Sequence, residues 1–188
     1  MHLSLIDEKD HPELAGLIAK IRNGRGGRYS YPFTLLLHSP AIAEAWLEQV
    51  TAVRWKTTLD GKIRELVIIR IAILARANYD RKAHESVYAP KAGLTREQIA
   101  AIGDWNNSKL FTGDQRAALA YTDAMTIDIH VPDTTQEELQ RHFNERQIVE
   151  LTVLIGTYNM HARVFQALEI ERRSSIYKGE PSSEARNT

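Results

Sequence analysis

The chain has 188 residues with 24 basic and 24 acidic side chains, so its formal net charge of zero offers no footprint for nucleic acid or an anionic membrane. Apolar residues at 43% and charged residues at 26% are globular values, and the length predicts one domain, residues 1–171, including an extension over about 1–38. The absence of cysteine excludes disulfides, thiol redox chemistry and thiolate metal sites. With no signal-peptide core at the start and no run of membrane-spanning length, a cytoplasmic protein is expected.

In chain order, residues 12–21 predict a short helix with Pro12 early in it. Residues 22–28 form an arginine- and glycine-rich turn. Arg22, Arg25 and Arg28 in it are either a solvated loop or a clamp for a carboxylate, whose shape a guanidinium fork matches. The glycines lack the spacing of a phosphate-binding loop. The aromatic stretch Tyr29 to His38 follows, with Tyr29, Phe33 and His38 as candidate pocket residues; His38 has a structural reading beside that one. Ser39 and Pro40 open a helix that runs to about Arg54.

The apolar stretch Ile63–Ala77 is long enough for a helix and apolar on nearly every side, which predicts burial. Glu65, Arg64 and Arg70 leave it in three directions. A carboxylate there needs a partner or an altered proton affinity. Behind a short turn, His84 opens the next helical segment, so the two segments pack together and Glu65 and His84 can meet. Such a pair suits acid–base chemistry, since a carboxylate fixes the imidazole tautomer and raises its basicity. The competing structural reading pairs Glu65 with Arg70 or Arg76.

Gly93 predicts a helix C-cap, and Thr95 with Gln98 a capping box. Helices are expected over residues 115–125, 135–143 and 145–170, and residues 172–188 read as a polar, disordered tail. Tyr158 and His161 share a face of the long helix, where they line either the His84 cavity or a subunit contact. No stretch alternates with period two, so the fold class is all-α. The histidines have no ligand spacing, so no metal site is expected, and no Gly-x-Ser-x-Gly elbow is present. Apolar residues on many faces predict a homo-oligomer.

Together, Leu59, Ile63-Arg64-Glu65-Leu66, Asn78-Tyr79-Asp80, His84 and Ala92-Gly93-Leu94 form a pattern that resembles the carboxymuconolactone decarboxylase family, which includes the alkylhydroperoxidase-D-like proteins. Phe143, Ile148-Val149-Glu150-Leu151, Ile155-Gly156 and Tyr158 extend the resemblance, which covers roughly Ser39 to Ile170. It implies an all-helical bundle assembled as trimers or hexamers, with the pocket close to subunit contacts. In the family's peroxidase branch a glutamate and a histidine relay protons for a Cys-x-x-Cys pair. Glu65 and His84 match those positions, but Ala77 and Asp80 stand where the cysteines would be, so a thiol peroxidase mechanism is not available. The resemblance to the cysteine-free decarboxylase branch implies decarboxylation of a small carboxylated lactone from aromatic degradation, without a cofactor. His84 would then donate the proton and Glu65 hold it, with Asp80 an alternative partner for His84. Arg22, Arg25, Arg28 or Arg163 would hold the carboxylates. The alternatives are a noncatalytic small-ligand-binding oligomer and a divergent peroxidase-related protein.

Overall fold

A computed structural model describes residues 3–25, 27 and 29–174, apart from the side chain of residue 173. Every regular element among them is helical: α1 (Ala15–Gly24), α2 (Tyr31–Leu36), α3 (Pro40–Trp55), α4 (Gly61–Leu74), α5 (Asn78–Ala83), α6 (Ala89–Lys91), α7 (Arg96–Ala101), α8 (Gly113–Asp123), α9 (Asp133–His142), α10 (Glu145–Ala167) and α11 (Ile170–Ser174). Short 3-10 turns at Pro12–Leu14 and Ile102–Asn107 and π turns at His84–Tyr88 and Ala124–Asp128 join some of them. Within the stretch expected as one domain lie two compact units, Met1–Ala52 with Phe165–Thr188, and Val53–Val164. Among the described residues no helix is long and apolar enough to cross a membrane.

In the unit Val53–Val164, α4 is central. Asp60 caps it, its side chain accepting from the Lys62 amide at 2.7 Å, a contact of the kind that contributes about 1 kcal/mol. Ile63, Leu66, Val67, Ile68, Ile69 and Ile71 are all buried. The apolar surround expected of this helix is therefore fully used. Val67, Ile68 and Ile71 pack with Ala118 and Tyr121 of α8 and Leu151, Leu154 and Tyr158 of α10. On the opposite side, Leu66 and Ile69 meet Ala89, Leu94, Ile102 and Trp105. Each such side chain contributes roughly 1.5–3 kcal/mol when withdrawn from water.

The chain leaves α4 through Arg76, whose φ of 54° is left-handed, and the Ala77 amide reaches back to the Ala72 carbonyl at 2.8 Å. That closure turns the chain tightly into α5. The caps expected at Gly93 (φ 91°) and at Thr95 with Gln98 are formed. The expected final helix over 145–170 divides after Ala167, where Glu169 takes a φ of 54°. Most of the expected tail, residues 175–188, lies outside the described residues.

In the unit Met1–Ala52 with Phe165–Thr188, α1 carries the expected 12–21 helix on to Gly24 and so absorbs part of the expected turn. The aromatic stretch forms α2, buried from Tyr31 to Leu36. Trp46 stacks on Phe165, with ring centroids 6.0 Å apart.

Candidate functional site

Glu65 and His84 meet inside the unit Val53–Val164. The packed α4 fixes Glu65, and the turn into α5 returns the chain so that His84 faces it. His84 Nδ1 and Glu65 Oε2 are 2.5 Å apart. The two residues are 3% and 1% exposed. Glu65 Oε1 accepts a hydrogen bond from Arg64 Nε at 3.3 Å and lies 3.9 Å from Nη2 of Arg54. The structural alternative for Glu65 does not form: Arg70 pairs with Asp123 at 2.6 Å, and Arg76 is exposed.

His84 opens a π turn, a wider winding often found at functional sites. It carries Tyr88 on the histidine's side, with ring centroids 5.0 Å apart. Tyr158 of α10 stands edge-on to the imidazole at 5.6 Å, and His161 lies 4.9 Å from Tyr158. Arg54, at the end of α3, places its guanidinium 4.1 Å from the centre of the Tyr88 ring and 4.6 Å from that of Trp55. Such cation–π placements stabilise a buried cation without using its N–H donors.

Electrostatics fix the resting protonation. Burial pushes Glu65 upward, but the His84 hydrogen bond, the charge His84 carries once it is protonated, and the charges of Arg54 and Arg64 outweigh it and hold the carboxyl below its ordinary range. His84 is pushed below its ordinary value, first by burial and then by Arg54 and Arg64, against the pull of Glu65. The pair is therefore a carboxylate and a neutral imidazole near neutral pH. Glu65 accepts the Nδ1–H, so the proton-free nitrogen of the neutral ring is Nε2. Among the described residues none hydrogen-bonds Nε2.

The other expected site residues are placed as follows. Asp80 sits one turn before His84, but the carboxylate bonded to the imidazole is that of Glu65. Arg22, Tyr29, Phe33 and His38 belong to the other unit. There Arg22 is paired with Glu8 at 2.7 Å, and Tyr29 donates to the Ile6 carbonyl at 3.1 Å. Phe33 is buried under the Arg25 guanidinium, and His38 Nε2 lies 2.8 Å from the Ser4 carbonyl. Arg163 holds the carbonyl and side chain of Asn159. Arg28 lies outside the described residues. Sequence reasoning missed Arg54, Tyr88 and Trp55. The Arg-Trp pair ending an apolar helix was the available signal. An open groove of about 640 Å³ between Arg81, Glu85 and Arg96 shares no lining residue with this site. Among the described residues no group of three or more His, Asp or Glu is placed to hold a metal ion.

The profile of the carboxymuconolactone decarboxylase family matches residues 40–124, which include Arg54, Glu65, His84 and Tyr88. The uncharacterized protein YnjA of Escherichia coli (strain K12) is 32% identical over 140 residues, 74% of this chain and 72% of that protein. The chain belongs to the carboxymuconolactone decarboxylase family. Its fold is alkylhydroperoxidase-D-like, and it is a member with no cysteine. A crystal structure of a protein of unknown function from Agrobacterium tumefaciens superposes with a TM-score of 0.66 at 26% identity, covering 70% of this chain and 90% of that one. The debrominase Bmp8, as a cysteine-to-alanine variant in complex with 2,3,4-tribromopyrrole, gives a TM-score of 0.76 at 17% identity, over 98% of this chain and 95% of that one. At that identity the likeness is one of fold. The residue replaced in that variant is of a type this chain lacks throughout.

Proposed function

We propose that this family member is a cofactor-free acid–base enzyme that decarboxylates a small carboxylated molecule such as a lactone from aromatic degradation. The observation that carries the reading is the 2.5 Å contact between Glu65 and His84 Nδ1, which leaves Nε2 as the working nitrogen. An entering carboxylate adds negative charge beside a neutral imidazole and favours uptake of a proton from solvent. The imidazolium so formed is held through Nδ1–H by Glu65. The C–C bond to the leaving carboxylate then breaks with its electron pair kept on carbon, where a neighbouring carbonyl delocalises it. Carbon dioxide departs, the new C–H bond takes the proton from Nε2, and His84 returns to its neutral form.

His84→Ala and Glu65→Gln should each lower carbon dioxide release from a panel of carboxylated lactones by about 100-fold or more, with helicity and assembly retained. Unchanged turnover in His84→Ala overturns the proposal. A second reading has its own support, because exposures of 1% and 3% also suit a structural ion cluster in a noncatalytic ligand-binding protein. In that case His84→Ala unfolds or dissociates the protein, and no substrate in the panel turns over with the intact chain. A homo-oligomer, trimer or hexamer, belongs to the same proposal; exposed Val149 and Val153, four apart on α10, support it. Sedimentation as a monomer at micromolar concentration contradicts it.

A further inference from the structure

Arg54 is only 4% exposed, yet its Nε and Nη2 hydrogens have no hydrogen-bond partner. Leaving buried guanidinium donors unmatched is costly; Glu65, Tyr88 and Tyr158 favour the charge itself, but none of them meets Nε or Nη2 with a hydrogen bond. Glu65 Oε1, the nearest carboxylate oxygen, stands 3.9 Å from Nη2, beyond hydrogen-bond reach, and already accepts from Arg64. Tyr88 and Trp55 offer the guanidinium their ring faces. The groups facing the cluster are Arg54, Arg64, Glu65, His84, Tyr88 and Tyr158. Two guanidinium cations face one carboxylate and a neutral imidazole, so the cluster carries one uncompensated positive charge.

We propose that Arg54 is the anion-recognition residue of this site, its free Nε–H and Nη2–H fork receiving the carboxylate of a flat molecule with a single negative charge. The single charge follows from the balance of the cluster, and the flatness from the aromatic rings around it. This assignment deepens the acid–base reading of Glu65 and His84 but concerns binding alone. Trp55 stands over the Arg54 guanidinium on the solvent side. It is 55% exposed, its ring stands 4.6 Å from Arg54 Cζ and 5.4 Å from Arg64 Cζ, and among the described residues none holds its indole N–H. An exposed indole held only by stacking can swing aside at little cost, whereas Tyr158 is buried in the core.

Benzoate is the probe, titrated calorimetrically into the intact chain, with benzyl alcohol as its neutral counterpart and phthalate as a dianion. Saturable benzoate binding is expected, with phthalate weaker and benzyl alcohol undetectable. Arg54→Lys keeps the charge but loses the fork and should weaken benzoate roughly tenfold, while Arg54→Met should abolish binding. Glu65→Gln, which removes the opposing carboxylate, should tighten it. Bound benzoate should also raise the midpoint of the His84 imidazole NMR titration in the wild type and leave it unmoved in Arg54→Met. If the methionine variant loses its helical circular dichroism, the lysine variant decides. Wild-type affinity in a folded Arg54→Lys overturns the proposal, as does a wild type that binds no benzoate at roughly 50-fold the concentration expected for a millimolar site. Benzoate binding that survives in His84→Ala leaves the anion site standing even where the acid–base reading fails, and turnover without benzoate binding does the reverse.

Discussion

Helix α4 presents two arginine–carboxylate arrangements, and they are built on opposite terms. At one, Arg70 sends Nε and Nη2 to the two oxygens of Asp123 at 2.6 and 2.8 Å, and Nη1 to the Ile102 and Gly103 carbonyls. Trp105 donates to the same aspartate at 3.0 Å. At the other, Glu65 spends one oxygen on an imidazole, Arg54 keeps two donors unmatched, and His84 keeps Nε2. Matched donors and acceptors hold a fold together, while a cluster left incomplete at high desolvation cost implies something else completes it. By that criterion we propose that the Arg70–Asp123 cluster is structural and that the Glu65–His84–Arg54 cluster is the one kept for function.

The largest expected effect comes from removing the shared carboxylate of the incomplete cluster. Glu65→Ala leaves the buried Arg54 and the half-buried Arg64 without an opposing charge and the His84 N–H without its acceptor. A loss of about 3–5 kcal/mol in unfolding free energy is expected by urea denaturation. A loss below about 1 kcal/mol would mean that the carboxylate is not electrostatically central. Asp123→Ala should cost less, about 1–3 kcal/mol, because Arg70 keeps its two carbonyl acceptors and the pair is partly hydrated. The released Trp105 indole should also shift its emission. A cost above that of Glu65→Ala would invert the comparison.

These two clusters were unequally legible in the sequence. The apolar surround of α4 left Glu65 with nowhere to go but the interior, and the short turn to His84 put the two within reach of each other. The caps at Gly93 and Thr95 were equally local and equally readable. Arg70 pointed to a partner too, but the pattern put Glu65 among its candidates; Asp123 comes from α8, and no spacing along the chain announces that crossing. Arg54 was hidden for the same reason. It reads as the charged end of a helix, and only the convergence of α3, α4 and the π turn makes it a buried cation. The π turn shifts Tyr88 away from its α-helical position, which a 3.6-residue period does not foresee. Arg22 looked like an available fork because nothing in the sequence tied it to Glu8.

Acidification tests the protonation assigned to the incomplete cluster. The His84 folded-state pKa lies below the ordinary value of 6.5, so between the two values the unfolded chain binds more protons than the folded one. Stability is then fully present above about pH 6.5 and falls as the pH drops below it. Glu65, also lowered, adds a second loss, which begins below its ordinary value of 4.5. His84→Gln should flatten the first decline and leave the second. Urea midpoints measured from about pH 7.5 to 4 resolve the two; a wild-type midpoint that rises between about pH 6.5 and 5.5 would show the imidazole to be charged in the folded state.

The smallest effect is the most discriminating, because it separates a cation kept for structure from one kept for binding. Arg70→Met removes a guanidinium whose donors are matched, takes the Arg70 donor from Oδ1 of Asp123 and from the two carbonyls while Oδ2 keeps the Trp105 N–H, and should cost about 1–3 kcal/mol. Arg54→Met removes a guanidinium that makes no full hydrogen bond through Nε or Nη2 and leaves Glu65 still held by Arg64 and His84. Its replacement by an apolar side chain of similar length removes the desolvation cost together with the attraction of Glu65, Tyr88 and Tyr158 that offsets it, so stability should stay within about 1 kcal/mol of wild type. The two methionine variants, compared in one denaturation series, therefore ask whether Arg54 belongs to the fold at all. Near-equal losses would make it a second structural arginine; a loss confined to Arg70→Met leaves Arg54 with no duty in the empty protein.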